Sequence, residues 1–272
     1  MQAIADQQLQ RPVGQLMRGW REQRGLSQLA LASRADISTR HLSFLETGRS
    51  APSREMLLRL AEHLDVPPRE QNRLLLAAGF APAYSDSPME AKEMTQVRAT
   101  LRQILSGHDP FPALVVDRCW NIVETNAGFS VFSDGADPAL LRQPMNALRL
   151  ALHPGGMAPR IVNFAEWQSH LLARLQRRVT LTAEPGLTEL YRELITYPGT
   201  DPAAQLPDTP GDLMVPLRIR HKGDELSLFC TIATFGMPLD ITVAELAIET
   251  FFPADPATAA LLHGEGPVRE SR

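Results

Sequence analysis

Two cysteines, Cys119 and Cys230, are all that this chain of 272 residues holds. That is too few for a disulfide framework or a cysteine zinc site. No stretch approaches 18 consecutive apolar residues, which excludes a spanning helix of ordinary composition. The polar segment from Met1 to Arg11 has no apolar core of the kind a secretory signal carries, so the expected compartment is the cytoplasm. Lysine is nearly missing, with Lys92 and Lys222 alone. Also missing are a G-x-S-x-G turn, a phosphate loop, a G-x-G-x-x-G dinucleotide turn and any histidine pair at metal-ligand spacing. His153 sits in a Pro-Gly-Gly loop without a second ligand at the right spacing, and His170 lies on a helix beside Leu171 and Leu172. The sequence therefore nominates no catalytic residue, no metal ligand and no cofactor. An enzyme stays open only through residues scattered along the chain.

What is present is an ordinary globular composition, 44% hydrophobic and 21% charged, with a net charge of -4. That total argues against nucleic acid until it is divided. Residues 1–80 hold 11 Arg and no Lys against 8 acidic residues, a net of +3. Residues 81–272 hold 16 basic against 23 acidic residues, a net of -7. Such asymmetry predicts two parts with different partners.

The first 80 residues read as five short helices with clear stops. Val13 to Arg24 carries Val13, Leu16, Met17 and Trp20 at helical spacing and ends at Gly25. Ser27 caps a second helix, Gln28 to Arg34, with Leu29, Ala30 and Ala32 expected inward. Ser38 caps a third, Thr39 to Thr47, ended by Gly48. Ser53 caps a fourth, whose Met56, Leu57, Leu60, Ala61 and Leu64 form an apolar stripe. After Pro67-Pro68, Arg69 to Ala78 makes the fifth, ended by Gly79.

Two short helices joined by a tight turn leave the second free to enter a major groove. With Leu42 and Leu45 facing the core, Thr39, Arg40, Ser43 and Phe44 project outward. Arg40 has the fork that grips guanine O6 and N7. Gln28, Ser38, His41 and Arg49 complete the expected DNA-contacting set, and Glu46 is expected to be structural, through a cap or an ion pair. By spacing and charge alone, a protein-binding helical domain stays open beside a DNA-binding one. The segments Ser27-Gln28-Leu29-Ala30-Leu31-Ala32, Ile37-Ser38, Leu42 to Arg49 (LSFLETGR) and Pro52 to Leu64 resemble the signatures of the Xre/Cro-type helix-turn-helix family over about residues 12–80. The resemblance implies sequence-specific binding of double-stranded operator DNA. Asp36 stands where that family usually has Gly, and Asp tolerates the left-handed conformation better than most residues.

Phe80 to Pro88 reads as a linker rich in Pro and Ser, followed by a helix from Met89 to Leu105 with Met94, Val97, Leu101, Ile104 and Leu105 on one side. Pro112 to Asp117 and Trp120 to Thr125 read as a hairpin, with Asn126 capping a short helix that bears Phe129 and Phe132. Asn146 to Tyr197 is expected to be helical with breaks at 153–156 and 184–186. Leu213, Val215, Leu217 and Ile219 alternate with polar neighbours as a strand. A turn at Lys222 to Glu225 leads to strands at Leu226 to Phe235 and Leu246 to Phe252. Strands among helices make an α+β domain.

PALVVD at 112–117, WNIV at 120–123, Asn126-Ala127, LALHPGG at 150–156 and IETFFPAD at 248–255 resemble the MmyB-like, or MltR-like, ligand-binding domain, which is similar to a PAS fold. That resemblance implies an antiparallel half-barrel sheet with helices on one face, an apolar pocket between them and a small apolar effector, a fatty acid among the candidates. The residues expected to line the pocket are Phe129, Phe132, Leu148, Trp167, Leu171, Cys230 and Phe235. Trp120 and Asn126 are expected to fix the hairpin and cap the helix. Cys119, in a turn beside Arg118, reads either as a thiol of lowered pKa in a redox sensor with Cys230 or as an inert turn residue.

The expected organisation is an all-α five-helix helix-turn-helix domain at 12–80, a linker at 81–92, an α+β PAS-like domain at 93–262 and a tail at 263–272. The expected function is that of a bacterial one-component transcriptional regulator, a homodimer with no membrane partner. A redox-sensing regulator and an enzyme domain carried by a DNA-recruiting module are the alternatives.

Overall fold

A computed structural model describes residues 12–182, 184–199, 215–236 and 240–264. They fall into two units, the described residues up to Pro88 together with 240–244, and those of 89–236 together with 245 onward.

The first unit is built from α1 (Val13–Gln23), α2 (Gln28–Arg34), α3 (Thr39–Glu46), α4 (Arg54–His63) and α5 (Pro68–Ala77). Ser27, Ser38 and Ser53 each cap a helix, their Oγ atoms accepting from the backbone N–H of Ala30, His41 and Met56 at 3.1, 3.1 and 3.2 Å. Each such cap is worth about 1 kcal/mol. Helix α3 ends in a Schellman turn: the Arg49 N–H reaches Phe44 O at 2.8 Å and the Gly48 N–H reaches Leu45 O at 3.2 Å. Gly48 has φ 73° there, the left-handed geometry that glycine adopts without a Cβ clash. Asp36 takes the left-handed turn between α2 and α3 with φ 51°, as its side chain permits.

Leu31, Leu42, Leu57, Leu60, Leu64 and Leu75 are fully buried in one cluster. Leu29 corrects the expectation for α2: it is 68% exposed, and Leu31 turns inward with Ala32. In a seven-residue helix reading QLALASR, apolar residues lie on several sides and packing chooses the phase. Helix α5 begins at Pro68 rather than Arg69, since proline's fixed φ suits the first helical position. A Cβ on Gly14 would sit 2.2 Å from Leu45 O, so α1 crosses the end of α3 at a distance only glycine permits.

Residues 83–87 are fastened to the same unit. Buried Asn72 accepts from the Ala83 and Tyr84 N–H groups at 2.8 and 3.1 Å and donates to Tyr84 O at 2.8 Å. Arg69 grips Asp86 with both terminal nitrogens at 2.6 and 2.9 Å. The single-turn helix Ile241–Ala244 joins them, with the Ile241 N–H on Ser85 O at 2.8 Å and the Ser87 N–H on Asp240 Oδ2 at 3.1 Å.

The second unit carries α6 (Thr95–Ser106), β1 (Ala113–Val116), β2 (Ile122–Thr125), α7 (Ser130–Ser133), α8 (Ala147–Leu152), α9 (Phe164–Thr182), α10 (Pro185–Leu194), β3 (Leu217–His221), β4 (Asp224–Thr234), β5 (Ala247–Pro253) and α11 (Pro256–Leu262). The strands form one antiparallel sheet in the order β2-β1-β5-β4-β3, so β5 returns to the centre between β1 and β4. This is the PAS-like α+β arrangement. One face, with Ala113, Val115 and Ile248, packs against Leu101 and Leu105 of α6. The other, with Leu114, Leu217, Leu228 and Phe251, packs against residues of α7 to α10 and holds the larger core.

Four expectations change here. Helix α6 starts at Thr95 after a 3-10 turn rather than at Met89, and Ile104 is 41% exposed instead of sharing the buried side. Strand β3 starts at Leu217; Val215 and Pro216 precede it, and Leu213 and Met214 lie outside the described residues. The turn into β4 narrows to Lys222 and Gly223, with φ 53° and 96°, a two-residue hairpin of the primed kind. Asn126 caps no helix with its side chain. Its Oδ1 accepts from the Ala113 N–H at 2.9 Å and its Nδ2 donates to Phe111 O at 2.8 Å, tying β2's end to the start of β1.

Candidate functional site

Helix α3 presents the outward set in the order the sequence predicts. Leu42 and Leu45 are 0% and 3% exposed, while Arg40, Ser38 and Arg49 lie open to solvent and Thr39, His41, Ser43 and Phe44 are half-buried. Phe44 organises the face: the Arg40 and Arg49 guanidinium carbons lie 5.4 and 5.9 Å from its ring centroid. At exposed sites such contacts are worth about 0.5–1 kcal/mol each, which biases both guanidiniums toward the same ring. Ser38 has a second task, since its hydroxyl caps α3.

Gln28, at the first position of α2, is held by a buried network. Arg21 donates from Nε and Nη2 to Glu46 at 2.6 and 2.9 Å, and from Nη1 to Leu26 O at 2.8 Å. Gln28 Nε2 donates to Glu46 Oε2 at 2.8 Å. Glu46 is thus structural, as expected, and it orients Gln28 between α2 and α3. The Arg21 guanidinium has its pKa raised by the hydrogen bond to Glu46, against the opposing effect of burial.

In the second unit, helices and sheet line a partly open cavity of about 50 Å³. Phe129, Phe132, Leu148, Trp167 and Leu171 line it, which brings together five of the seven residues expected there. Phe132 meets Phe129 and Phe251 edge-on at centroid distances of 5.9 and 4.7 Å. Cys230 and Phe235 do not line it. Cys230 pairs across the sheet with Phe251 and packs at the margin of the larger core. Phe235 lies beyond the end of β4 and joins the cluster with α6 on the other face.

Two charged residues that sequence reasoning passed over, Arg174 and Glu249, also line the cavity, together with Trp120. Arg174 Nη2 meets Glu249 Oε1 at 2.7 Å, with side chains 23% and 9% exposed. Their signal was legible. Arg174 continues the stripe of Trp167 and Leu171 at helical spacing, and Glu249 takes the inward phase of β5 between Ala247 and Phe251. Trp120 does fix the hairpin, as expected, yet it also forms cavity wall. It has φ 61°, and the guanidinium carbons of Arg174 and Arg178 lie 5.5 and 5.4 Å from its ring. A bulky residue in the left-handed region is a backbone outlier that the fold must hold in place.

The cysteines depart from the lowered-pKa reading. Burial, followed by the charge of Asp117, pushes the Cys119 thiol up, and burial pushes Cys230 to about 12. Arg118 opposes the shift at Cys119 but is outweighed. His170 stacks on Trp167 at 5.7 Å, and burial together with Arg174 and Arg177 lowers its pKa. His153 Nδ1 accepts from the Gly155 N–H at 2.9 Å, a loop-shaping bond. Among the described residues no cluster of three His, Cys, Asp or Glu side chains is placed to hold a metal, and no helix is long and apolar enough to cross a membrane.

Residues 97–263 match the family model of the MmyB-like transcription regulator ligand binding domain, and residues 17–71 match a helix-turn-helix model. No curated protein matches the chain. Among solved structures, that of an RNA-binding Light-Oxygen-Voltage receptor is similar at 14% identity and a TM-score of 0.25, over 97% of this chain and 64% of that one. A likeness that distant carries no argument.

Proposed function

The chain belongs to the family of the MmyB-like transcription regulator ligand binding domain and joins that domain to a helix-turn-helix, which makes it a DNA-binding transcription regulator with a ligand-sensing domain; from this premise we propose that it is a bacterial one-component regulator that reads a specific operator and answers to a small apolar effector. Residues 12–80 bind double-stranded DNA, 81–92 link and 93–262 sense; of the segment expected as a tail, 265–272 lie outside the described residues. The protein works in the cytoplasm as a homodimer on an inverted repeat, with half-sites about 34 Å apart or a multiple of that.

The observation that carries the DNA reading is the outward face of α3, where Arg40 and Arg49 flank Phe44 beyond a buried Leu42–Leu45 seam. Arg40 reads a guanine edge, Arg49 and Ser38 hold phosphates, and Thr39, His41 and Ser43 contact the groove or backbone, with Gln28 on the flanking strand. Operators selected from a random duplex pool supply the test. Arg40→Ala should lose about 1–3 kcal/mol of affinity for the selected site and relax the base preference at one position. Unchanged affinity and preference would overturn the assignment.

The effector acts only through a difference in affinity between DNA-competent and incompetent arrangements. A mostly apolar, partly open cavity with few polar groups suits an apolar ligand. Native mass spectrometry of the purified chain, alone and with a panel that includes fatty acids, tests for a bound small molecule.

A further inference from the structure

The chain passes from one unit to the other after Pro88, after Gly236 and after Ala244. The last two crossings bracket an insertion: the connection from β4 to β5 leaves the sheet and contributes 240–244 to the first unit. Residues 237–239 lie outside the described residues. Joining two antiparallel neighbours needs no such excursion, since two residues suffice, as Lys222 and Gly223 show between β3 and β4.

The insertion is seated by its neighbours rather than by itself. A helix of one turn, Ile241–Ala244, is far too short to be stable alone. Its order comes from residues 85–87: Ser85 pairs with Asp240, the Ile241 N–H donates to Ser85 O at 2.8 Å, and the Ser87 N–H donates to Asp240 Oδ2 at 3.1 Å. Thr242 Oγ1 adds a bond to Asp86 Oδ1 at 3.3 Å. Ile241 and Val243 are buried, and the turn packs beside α5. That helix also fastens the seat, through Asn72 and Arg69, while its Leu74 and Leu75 enter the same core as Leu42 and Leu45 of α3.

The other end of the insertion has no slack. Glu245 and Leu246 alone separate Ala244 from the start of β5 at Ala247, a reach of about 7 Å at most. Leu246 is 1% exposed and packs with Leu101, Leu105 and Val115, and Glu245 Oε2 lies 3.7 Å from Arg118 Nε. Within the second unit, β5 carries Glu249 and Phe251 in the cavity wall, and Arg118 stands two residues before Trp120 of that wall. A displacement of β5 is therefore not absorbed at the junction. It either moves the seated turn or unseats it, and both outcomes reach α5.

We propose that residues 240–244 are the transmission element of the regulator, a strap through which the state of the cavity is delivered to α5 and residues 83–87 of the DNA-binding unit. The proposal rests on the reading of the cavity as the effector site and supplies its regulation. A small seat of two apolar side chains and a few hydrogen bonds belongs to the low-stability elements that switch.

Spatial continuity is not coupling, so the test is a double-variant cycle on the full chain. Ala151→Val adds two methyl groups to the cavity wall and stands in for an occupant, with Ala147→Val as a second filler. Asp240→Ala with Ile241→Ser releases the strap without touching the expected DNA-contacting set. The readouts are affinity for the selected operator and hydrogen exchange of the Ser87 amide. With the strap intact, a filler should change operator affinity at least about fivefold, the lower end of an allosteric coupling, and should change Ser87 protection. In the released chain the same filler should change operator affinity by less than about twofold. Should the double replacement fail to fold, as read by the β1 and β5 amides, Ile241→Ala takes its place. A filler effect of equal size in intact and released chains overturns the strap and leaves the effector reading of the cavity standing. A filler that changes Ser87 protection while operator affinity stays put supports the strap and overturns the effector reading. A filler that moves neither readout in the intact chain overturns both.

Discussion

The buried pair of Arg21 and Glu46 offers the sharpest stability test in the first unit. Their side chains are 9% and 2% exposed, and the contact is bidentate. Arg21→Met removes the cation and leaves Glu46 buried with the Gln28 amide as its remaining hydrogen-bond donor. Removing one partner of a buried pair costs about 3–5 kcal/mol, because the other charge stays uncompensated. Glu46→Leu should cost less within that range, since Arg21 retains the Leu26 carbonyl at 2.8 Å and exposed Glu22 at 3.6 Å. The double variant Arg21→Met with Glu46→Leu buries no charge and should lie within about 1–2 kcal/mol of the parent. For a small domain of about 5–15 kcal/mol total stability, either single loss is a large fraction.

Native-state hydrogen exchange on the full chain reads this directly. A loss of about 3 kcal/mol lowers protection by a factor of roughly 100 or more in the most protected amides of α1 to α5. The amides of β1 and β5 in the second unit should keep their protection and serve as the internal reference. Single variants that each cost under about 1 kcal/mol, or a double variant as damaging as the two losses added, would refute the account of an uncompensated charge.

Two further outcomes follow from the titrating groups. Both thiols are pushed up by burial, Cys230 to about 12, so alkylation at pH 7.5 should run at least about tenfold slower than for a free cysteine. The double Cys119→Ser, Cys230→Ser variant should keep its operator affinity under peroxide, and rapid alkylation of either residue would contradict this. His170 has its pKa lowered by burial and then by Arg174 and Arg177, so the unfolded chain takes up that proton first. Its contribution to stability is present above the ordinary histidine value of about 6.5 and is lost as pH falls below it toward the folded value. Denaturation midpoints of the second unit should therefore drop between pH 7 and 5, and His170→Gln should flatten that slope; an identical slope in the variant would refute the assignment.

What was legible in the sequence was local. Ser27, Ser38 and Ser53 each precede an apolar-periodic run, and Gly25, Gly48 and Gly79 follow one, so the helices of the first unit could be bounded within a residue or two. Leu29 misled because the short α2 carries apolar residues on opposing sides, and only tertiary packing selects between them. In the second unit the strands were readable, β3 by its alternation and the others as short apolar runs between turns, but their order was not. The sheet is organised by β5 pairing with β1, with Ile248 opposite Val115, across 133 positions of sequence. No local period encodes such a partner. Cys230 and Phe235 were misplaced for the same reason: distance from the cavity along β4 depends on where β5 brings Phe251.

The polar residues of the two cores show what a sequence signal means once its hydrogen bonds are known. Arg21 and Arg174 look alike in the sequence, each an arginine on the apolar stripe of its helix, and each proves to grip one buried glutamate. Around Glu46 the network closes: Arg21 fills both oxygens and Gln28 adds a third bond, so the group serves rigidity and holds Gln28 in place. Around Glu249 the same pairing stands beside an indole N–H that meets nothing, on a strained residue, at the wall of a cavity. A charged residue at an inward phase thus marks either scaffold or site, and completeness of the hydrogen bonding around it separates the two. By that criterion, the surroundings of Glu46 should tolerate apolar replacement of the whole pair.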